Sequence, residues 1–306
     1  MRYSNIGGQA VMEGIMMKNK EEYAVAVRKS DGEIVLKKDT FHSIVGSHKA
    51  LTEIPFVRGV FNFIDSMRLG MGTLMFSASF FDDEEEEPIS EQKEKAIMTG
   101  TVILSVILAV GIFMLLPYFL SGLLKRWIAS YYVRTVIEGF VRIGIFIVYV
   151  LLISRMEDIQ RTFMYHGAEH KCINCIEHGL PLNVENVRKS SHMHKRCGTS
   201  FLFFVMIISV CLLVLIRAES PFVRLLLRIL LIPVIAGISY EILRLAGCSD
   251  NPVINLLSKP GLAVQRLTTR EPDDSMIEVA IRAVEAVFDW RAFEREAFGT
   301  VEEAAE

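Results

Sequence analysis

Apolar residues in this chain come in long blocks divided by short polar stretches. Residues 97–120 (IMTGTVILSVILAVGIFMLLPYFL) carry no charge and are long enough to cross a hydrocarbon layer of about 30 Å. Residues 199–216 (TSFLFFVMIISVCLLVLI) form a second uncharged run near the minimum spanning length. Two further runs hold isolated charges: 133–154 with Glu138 and Arg142, and 222–246 with Arg224, Arg228, Glu241 and Arg244. The pattern predicts four transmembrane helices. Outside them the period changes. "YAVAVRKSDGEIVLKK" (Tyr23–Lys38) alternates about Asp31-Gly32 and predicts a β-hairpin. Residues 53–81 are apolar but interrupted by Arg58, Asp65 and Arg68, which predicts an amphipathic interfacial helix, with a re-entrant or spanning element as the alternative. Near the C-terminus Ile277, Ile281, Val284 and Phe288 share one helical stripe, and Ser275 stands three residues before Glu278 at capping-box spacing.

The expected fold is mainly α: a polytopic membrane protein with a small α+β cytoplasmic unit assembled from the N-terminus, the central loop and the C-terminus. Its segments are an N-terminal α+β unit (1–52), the interfacial helix (53–81), an acidic linker (82–95) and helices one and two (96–154). A His/Cys-rich loop (155–198), helices three and four (199–247) and a C-terminal segment with an amphipathic helix (248–306) follow. The linker's "DDEEEEP" reads as a solvated run of like charge.

Composition supports the membrane reading, with 51% hydrophobic residues and a mean hydropathy of +0.36. Basic residues then set the orientation. Twelve Lys or Arg precede the first run, seven lie from Arg155 to Arg196 and six follow Cys248, whereas the other two connectors hold about three each. Both termini and the central loop are therefore expected in the cytoplasm, at the inner cell membrane. The five cysteines face a reducing compartment, so a disulfide framework is not expected. The first twenty residues lack the apolar core of a signal peptide. No basic-aromatic patch points to nucleic acid, and the expected partner is the lipid bilayer. Glu138 and Arg142, four apart, are neighbours on one helical face and form a candidate intramembrane ion pair.

The candidate chemistry lies in "YHGAEHKCINCIEHG" (165–179). His166 and His170 project from one side of a helix, a turn apart, and two imidazoles so placed can grip one Zn²⁺. Glu169 lies roughly 60° round the helix from His166, placed to act as base in a metal-assisted hydrolysis. Two histidines and a Glu on a solvated helix are the ordinary alternative. Glu177 shares the histidine stripe but stands about 10 Å further along the axis, better suited to orienting a partner or substrate. Cys172 and Cys175 face away from that stripe and read as buried or idle thiols; His178 reads as the helix end. Further ligands are available in "SSHMHKRCGTS" (190–200), which holds His192, His194 and Cys197. His194 and Cys197 with His166 and His170 would close a tetrahedral site, and losing one to water would open it. Gly198-Thr199-Ser200 reads as the N-cap of the third span, with Lys195 and Arg196 reaching toward headgroups.

These motifs also carry a resemblance over nearly the whole chain. "GGQAVMEGIMM" (7–17), "EIPFVRGV" (53–60), "YHGAEHK" (165–171), "HKRCGTSF" (194–201), "AGISYEILRLAG" (236–247) and "PGLAVQRLTTREPDD" (260–274) resemble the YqhQ-like family of multi-pass bacterial membrane proteins. That family is a domain of unknown function labelled "predicted metal-dependent enzyme". The resemblance implies a divalent metal, zinc by the donor types, and falls on His166, Glu169, His170, Glu177, His194 and Cys197. It also falls on Gln9, Glu13 and Arg58, the last two a candidate structural ion pair. The leading functional expectation is a metal-dependent hydrolase acting at the membrane interface, with Glu169 as base and Arg196 facing an anionic, lipid-like substrate. A non-catalytic regulator or assembly partner of another membrane complex, with a structural metal, is the alternative; a transporter using Glu138, Arg142 and Glu241 is the weaker one.

Overall fold

Four N-terminal strands pair antiparallel in chain order: β1 (Gly7–Val11), β2 (Gly14–Asn19), β3 (Glu22–Arg28) and β4 (Ile34–Thr40). They open a computed structural model that describes residues 2–46, 53–81, 91–215, 221–247 and 251–299. The β3–β4 hairpin is the one the alternation predicts. The β1–β2 hairpin is additional, turning through Met12 and Glu13, the latter at φ 48. Successive side chains of a strand point to opposite faces. Accordingly Ile15, Met17, Ala24 and Ala26 enter one buried cluster, while Met16, Val25 and Val27 enter another on the reverse side.

The first cluster is closed by α5 (Glu157–Glu177) and α10 (Asp274–Val287), which contribute Tyr165, Ala168, Ile173, Ile277, Ala280 and Val284. α10 is capped by Asp273, whose Oδ1 accepts from Met276 N at 3.0 Å. The cap is thus two residues earlier than Ser275, because an Asp accepts that bond while Glu278 reaches out to Arg28 (3.0 Å). The second cluster packs on α1 (Val57–Ala78) through Leu69. α1 buries its small and polar face, Gly59, Asp65, Gly70, Thr73 and Ser77, and turns Met67 and Met71 outward.

Among the described residues four stretches are long and apolar enough to cross a membrane: Ala96–Arg126, Tyr131–Ile153, Gly198–Leu215 and Leu226–Gly247. The first comprises most of α2 (Glu91–Val110), a π turn (Gly111–Leu115), α3 (Leu116–Leu123) and a closing 3-10 turn. Pro117 has no N–H to give the preceding turn, and the wider π turn just before it accommodates that loss. The others are α4 (Tyr131–Ile153), α7 (Gly198–Leu215) and most of α8 (Pro221–Gly247). Of the acidic linker, residues 82–90 lie outside the described residues, and 91–95 already belong to α2.

Small residues set the helix crossings. A Cβ on Gly237 of α8 would stand 2.5 Å from the Phe56 carbonyl, so α1 meets α8 backbone to backbone. Arg58 then clamps Glu241 with two donors, Nε at 2.6 Å and Nη2 at 2.5 Å, beside the Phe56 N–H at 3.2 Å. This corrects the expected Glu13–Arg58 pair. The two are held apart by the sheet and α1, and Glu13 instead pairs with Arg161 of α5. α6 (Val184–Lys189) packs on α5 and α10, α9 (Pro252–Thr268) packs on α7, α4 and α8, and α11 (Trp290–Phe298) ends the described chain.

Candidate metal centre

α5 runs unbroken through the candidate motif, and twelve of its residues from Tyr165 to Glu177 are buried. Gly167 does not weaken it idly: a Cβ there would lie 1.9 Å from the Arg270 carbonyl. That space lets the segment after α9 press against the helix. Thr268 O then accepts from His166 Nδ1 at 2.9 Å, and Arg270 N donates to Phe163 O at 3.0 Å. One turn on, His170 Nδ1 donates to the His192 carbonyl at 2.8 Å. Each imidazole has its Nδ1 proton fixed by a backbone carbonyl, which leaves Nε2 free to act as a ligand. The two rings lie 4.4 Å apart between centroids.

Cys197 meets them from the third apolar helix. Its carbonyl takes the first bond of α7, from Phe201 N at 3.3 Å, so Cys197 itself occupies the cap position expected of Gly198–Ser200. The helix N-terminus favours negative charge there. Sγ lies 3.2 Å from His166 Nε2, and one ligand atom each from His166, His170 and Cys197 falls within 4.8 Å of the others. Burial opposes ionisation of this thiol, yet His166 and His170 hold it well below the ordinary value. Burial likewise opposes charge on His166, and the facing sulfur still raises it to about 9. Two imidazole nitrogens and one sulfur facing a common point are a donor set that suits a divalent cation.

A cavity of about 100 Å³ adjoins the cluster, lined by Gly8, His166, Glu169, His170, His194, Arg196 and Cys197 among others. β1 forms its roof. A Cβ on Gly8 would stand 3.0 Å from the Glu169 carboxyl carbon, so only glycine lets the strand cross there. Among the described residues none hydrogen-bonds to the Glu169 carboxylate, although Glu169 is buried. Burial raises its pKa, with the two imidazoles pulling the other way.

The remaining motif residues divide between support and distance. His194 does not join the three converging atoms: its Nε2 faces Glu177 Oε2 at 3.4 Å, and its ring centroid stands 5.8 Å from that of His170. Glu177, with no exposed side-chain surface, also takes Arg196 Nη2 at 2.6 Å and the Ser4 N–H and Oγ, both at 2.9 Å. Burial works against its charge, but His194 and Arg196 hold the carboxyl below its ordinary range. Gln9 packs side-on against Gly70 of α1, and Glu13 and Arg58 are spent on the ion pairs described above. His192 contributes its carbonyl, while its ring reaches Glu271 at 2.8 Å. Cys172 and Cys175 are buried free thiols on the core side of α5.

Two residues that bear on the site were missed by the motif reading. Thr268 orients His166, and Gln265 brackets the His194 backbone, accepting from its N–H at 2.9 Å and donating to its carbonyl at 3.0 Å. Both lie inside "PGLAVQRLTTREPDD", and that run was the available signal.

Fold and site together define a mainly helical protein with four membrane-length apolar helices, a small antiparallel sheet and a buried His–His–Cys cluster at the start of the third such helix. The family model described as "Protein of unknown function (DUF1385)" matches residues 54–290, and the chain belongs to this family. It is 35% identical over 291 residues to the "Uncharacterized protein YqhQ" of Bacillus subtilis (strain 168), covering 90% of each chain. No solved structure matches it.

Proposed function

We propose that this is a metal-dependent hydrolase of the bacterial inner membrane, working at the cytoplasmic face on a lipid-like substrate. The observation that carries the reading is the convergence of His166, His170 and Cys197 on one point, with a buried carboxyl free of hydrogen bonds beside it. The bias of basic residues supports the topology: four helices across the bilayer, and the sheet, α5, α9 and α10 on the cytoplasmic side with both termini. Two imidazoles and a thiolate fit a divalent cation, zinc first, and three protein donors are the usual complement of an open, catalytic site. When bound, such an ion supplies Lewis acidity toward a carbonyl or phosphoryl group. Glu169 accepts the proton of the attacking water, and its raised pKa lets it return that proton to the leaving group. Arg196, on the same cavity, faces an anionic group of the substrate. Glu177 positions Arg196 and His194 and ties down the chain before β1.

Metal analysis of the purified protein tests this. Wild type should carry one zinc per chain, His166→Ala and Cys197→Ser little, and Glu169→Gln a full complement. Glu169→Gln should also fail to restore a strain lacking the gene. Equal metal in wild type and both ligand variants would overturn the metal centre; full complementation by Glu169→Gln would leave a metal that only staples α5 to α7.

A further inference from the structure

A second cavity, of about 420 Å³, lies among the apolar helices, and none of its lining residues is a candidate metal ligand. Its walls come from α1, the π turn, α4, α7 and α8 and are almost wholly hydrocarbon, including Phe63, Phe146, Phe201 and Ile232. That size is ordinary for a pocket that takes a small molecule. Four side chains with polar groups stand at it: Arg142 and Tyr149 of α4, Ser209 of α7 and Arg228 of α8.

The charges there do not balance. Arg142 Nη2 and Arg228 Nη2 both approach the same oxygen of Glu138, Oε1, at 3.2 Å and 2.5 Å. Two guanidiniums thus share one carboxylate. A guanidinium does not shed its proton when buried, as a lysine can, so the group carries one surplus positive charge. The other contacts are neutral: Arg142 Nη1 to Ser209 Oγ at 3.0 Å, Arg228 Nη1 to the Met114 carbonyl at 3.5 Å, and Ser121 Oγ to Glu138 Oε2 at 3.5 Å. Both arginines are more than nine-tenths buried, and the Nε of each has no hydrogen-bond partner among the described residues. Glu138 and Arg142 stand seven and eleven residues into α4, roughly 10 and 16 Å along the helix from Tyr131. At that depth in a bilayer an uncompensated charge is costly, and arginines directed inward at one another do not reach headgroups.

We infer that this cavity binds a single-chain anionic amphiphile, its carboxylate or phosphate head on Arg142 and Arg228 and its hydrocarbon chain along the aromatic walls. The head supplies the missing negative charge. The chain fills space that polar ligands would leave poorly solvated. The inference rests on the four helices lying in a bilayer but not on the metal site, none of whose three candidate ligands lines this cavity.

Binding to the full chain in a neutral detergent decides the matter, with hexadecanoic acid, the lysophospholipid phosphate monoester of the same chain length, 1-hexadecanol and acetate as probes. The two anionic amphiphiles should bind at least tenfold more tightly than the alcohol, and acetate should not compete. The tighter of the two identifies the head. Arg228→Gln, which leaves a neutral Glu138–Arg142 pair, should weaken acid binding tenfold or more while the zinc content stays at the wild-type level. Glu138→Gln doubles the surplus charge and should tighten it. Equal binding of acid and alcohol by wild type, or undiminished acid binding by Arg228→Gln, would overturn the assignment. The wild-type comparison stands even where a variant does not fold.

Discussion

Replacing Gly167 by alanine should destabilise this protein, although helix propensity argues the reverse. Inside an ordinary helix alanine is favoured over glycine by about 0.8–1 kcal/mol. Here the new Cβ would lie 1.9 Å from the Arg270 carbonyl oxygen and 3.1 Å from its carbon. A tolerable C···O approach is about 3.3 Å, so α5 and the 268–272 segment must part by roughly 1.4 Å. Overpacking of this kind costs about 1–3 kcal/mol. The same movement stretches the bonds from His166 Nδ1 to Thr268 O and from Arg270 N to Phe163 O, worth about 1 kcal/mol each. Set against the propensity gain, the net loss is about 2–4 kcal/mol. His166 also loses the carbonyl that fixes its ring, which should lower zinc affinity about 10–100-fold. Gly144→Ala is the control, because a Cβ on that α4 glycine meets nothing within 4 Å. Melting in detergent, followed by tryptophan fluorescence, and zinc competition against a chromophoric chelator read both effects. Gly167→Ala melting at or above wild type, with unchanged zinc affinity, would refute the reasoning.

Glu177→Gln leaves Arg196 and His194 facing a neutral amide in a buried site and should cost about 3–5 kcal/mol in chemical unfolding. The folded carboxyl titrates below its unfolded value, so its contribution is present above the ordinary carboxylate range and fades as pH falls through the folded value. The wild-type advantage over Glu177→Gln should therefore shrink in acid; an advantage independent of pH down to the acid limit would contradict the ion pair. Gly237→Val pushes a side chain into the Phe56 carbonyl and should loosen α1 from α8, read as faster proteolysis within 57–78. Protection equal to wild type would show that the crossing tolerates bulk. Arg161→Ala removes the partner of Glu13, but that arginine is half exposed, so the loss should stay below about 1 kcal/mol. A loss beyond twice that would give the β1–β2 turn a larger role than an exposed pair explains.

The four membrane-length helices were legible because two are uncharged apolar runs and the other two are apolar runs with only isolated charges, and α5 because two histidines a turn apart need a helix to meet. β1 and β2 were not. "GIMMKN" is buried on both faces at its start, so it shows no polar alternation to mark a strand. α9 was hidden by Pro260 within it. Of the candidate metal cluster, helical spacing gives His166 and His170 and motif proximity gives Cys197. That His194 turns to Glu177 instead follows from a third element, since Gln265 of α9 fixes its backbone. Arg228 was visible only as a stray charge in an apolar run; its sharing of Glu138 with Arg142 depends on how α4 and α8 pack, which no local pattern encodes.

The covering of β2 and β3 by α10 has a consequence for synthesis. These strands emerge early, yet the helix that covers one of their faces lies about 250 residues later, beyond every apolar span. At ribosomal speeds of about 5–20 residues per second, the sheet waits roughly 12–50 seconds before the face of Ile15, Met17, Ala24 and Ala26, which α5 covers only in part, is closed. Through that interval the nascent N-terminus is an adhesive surface needing a chaperone, and a chain stalled before residue 274 should be recognised and degraded.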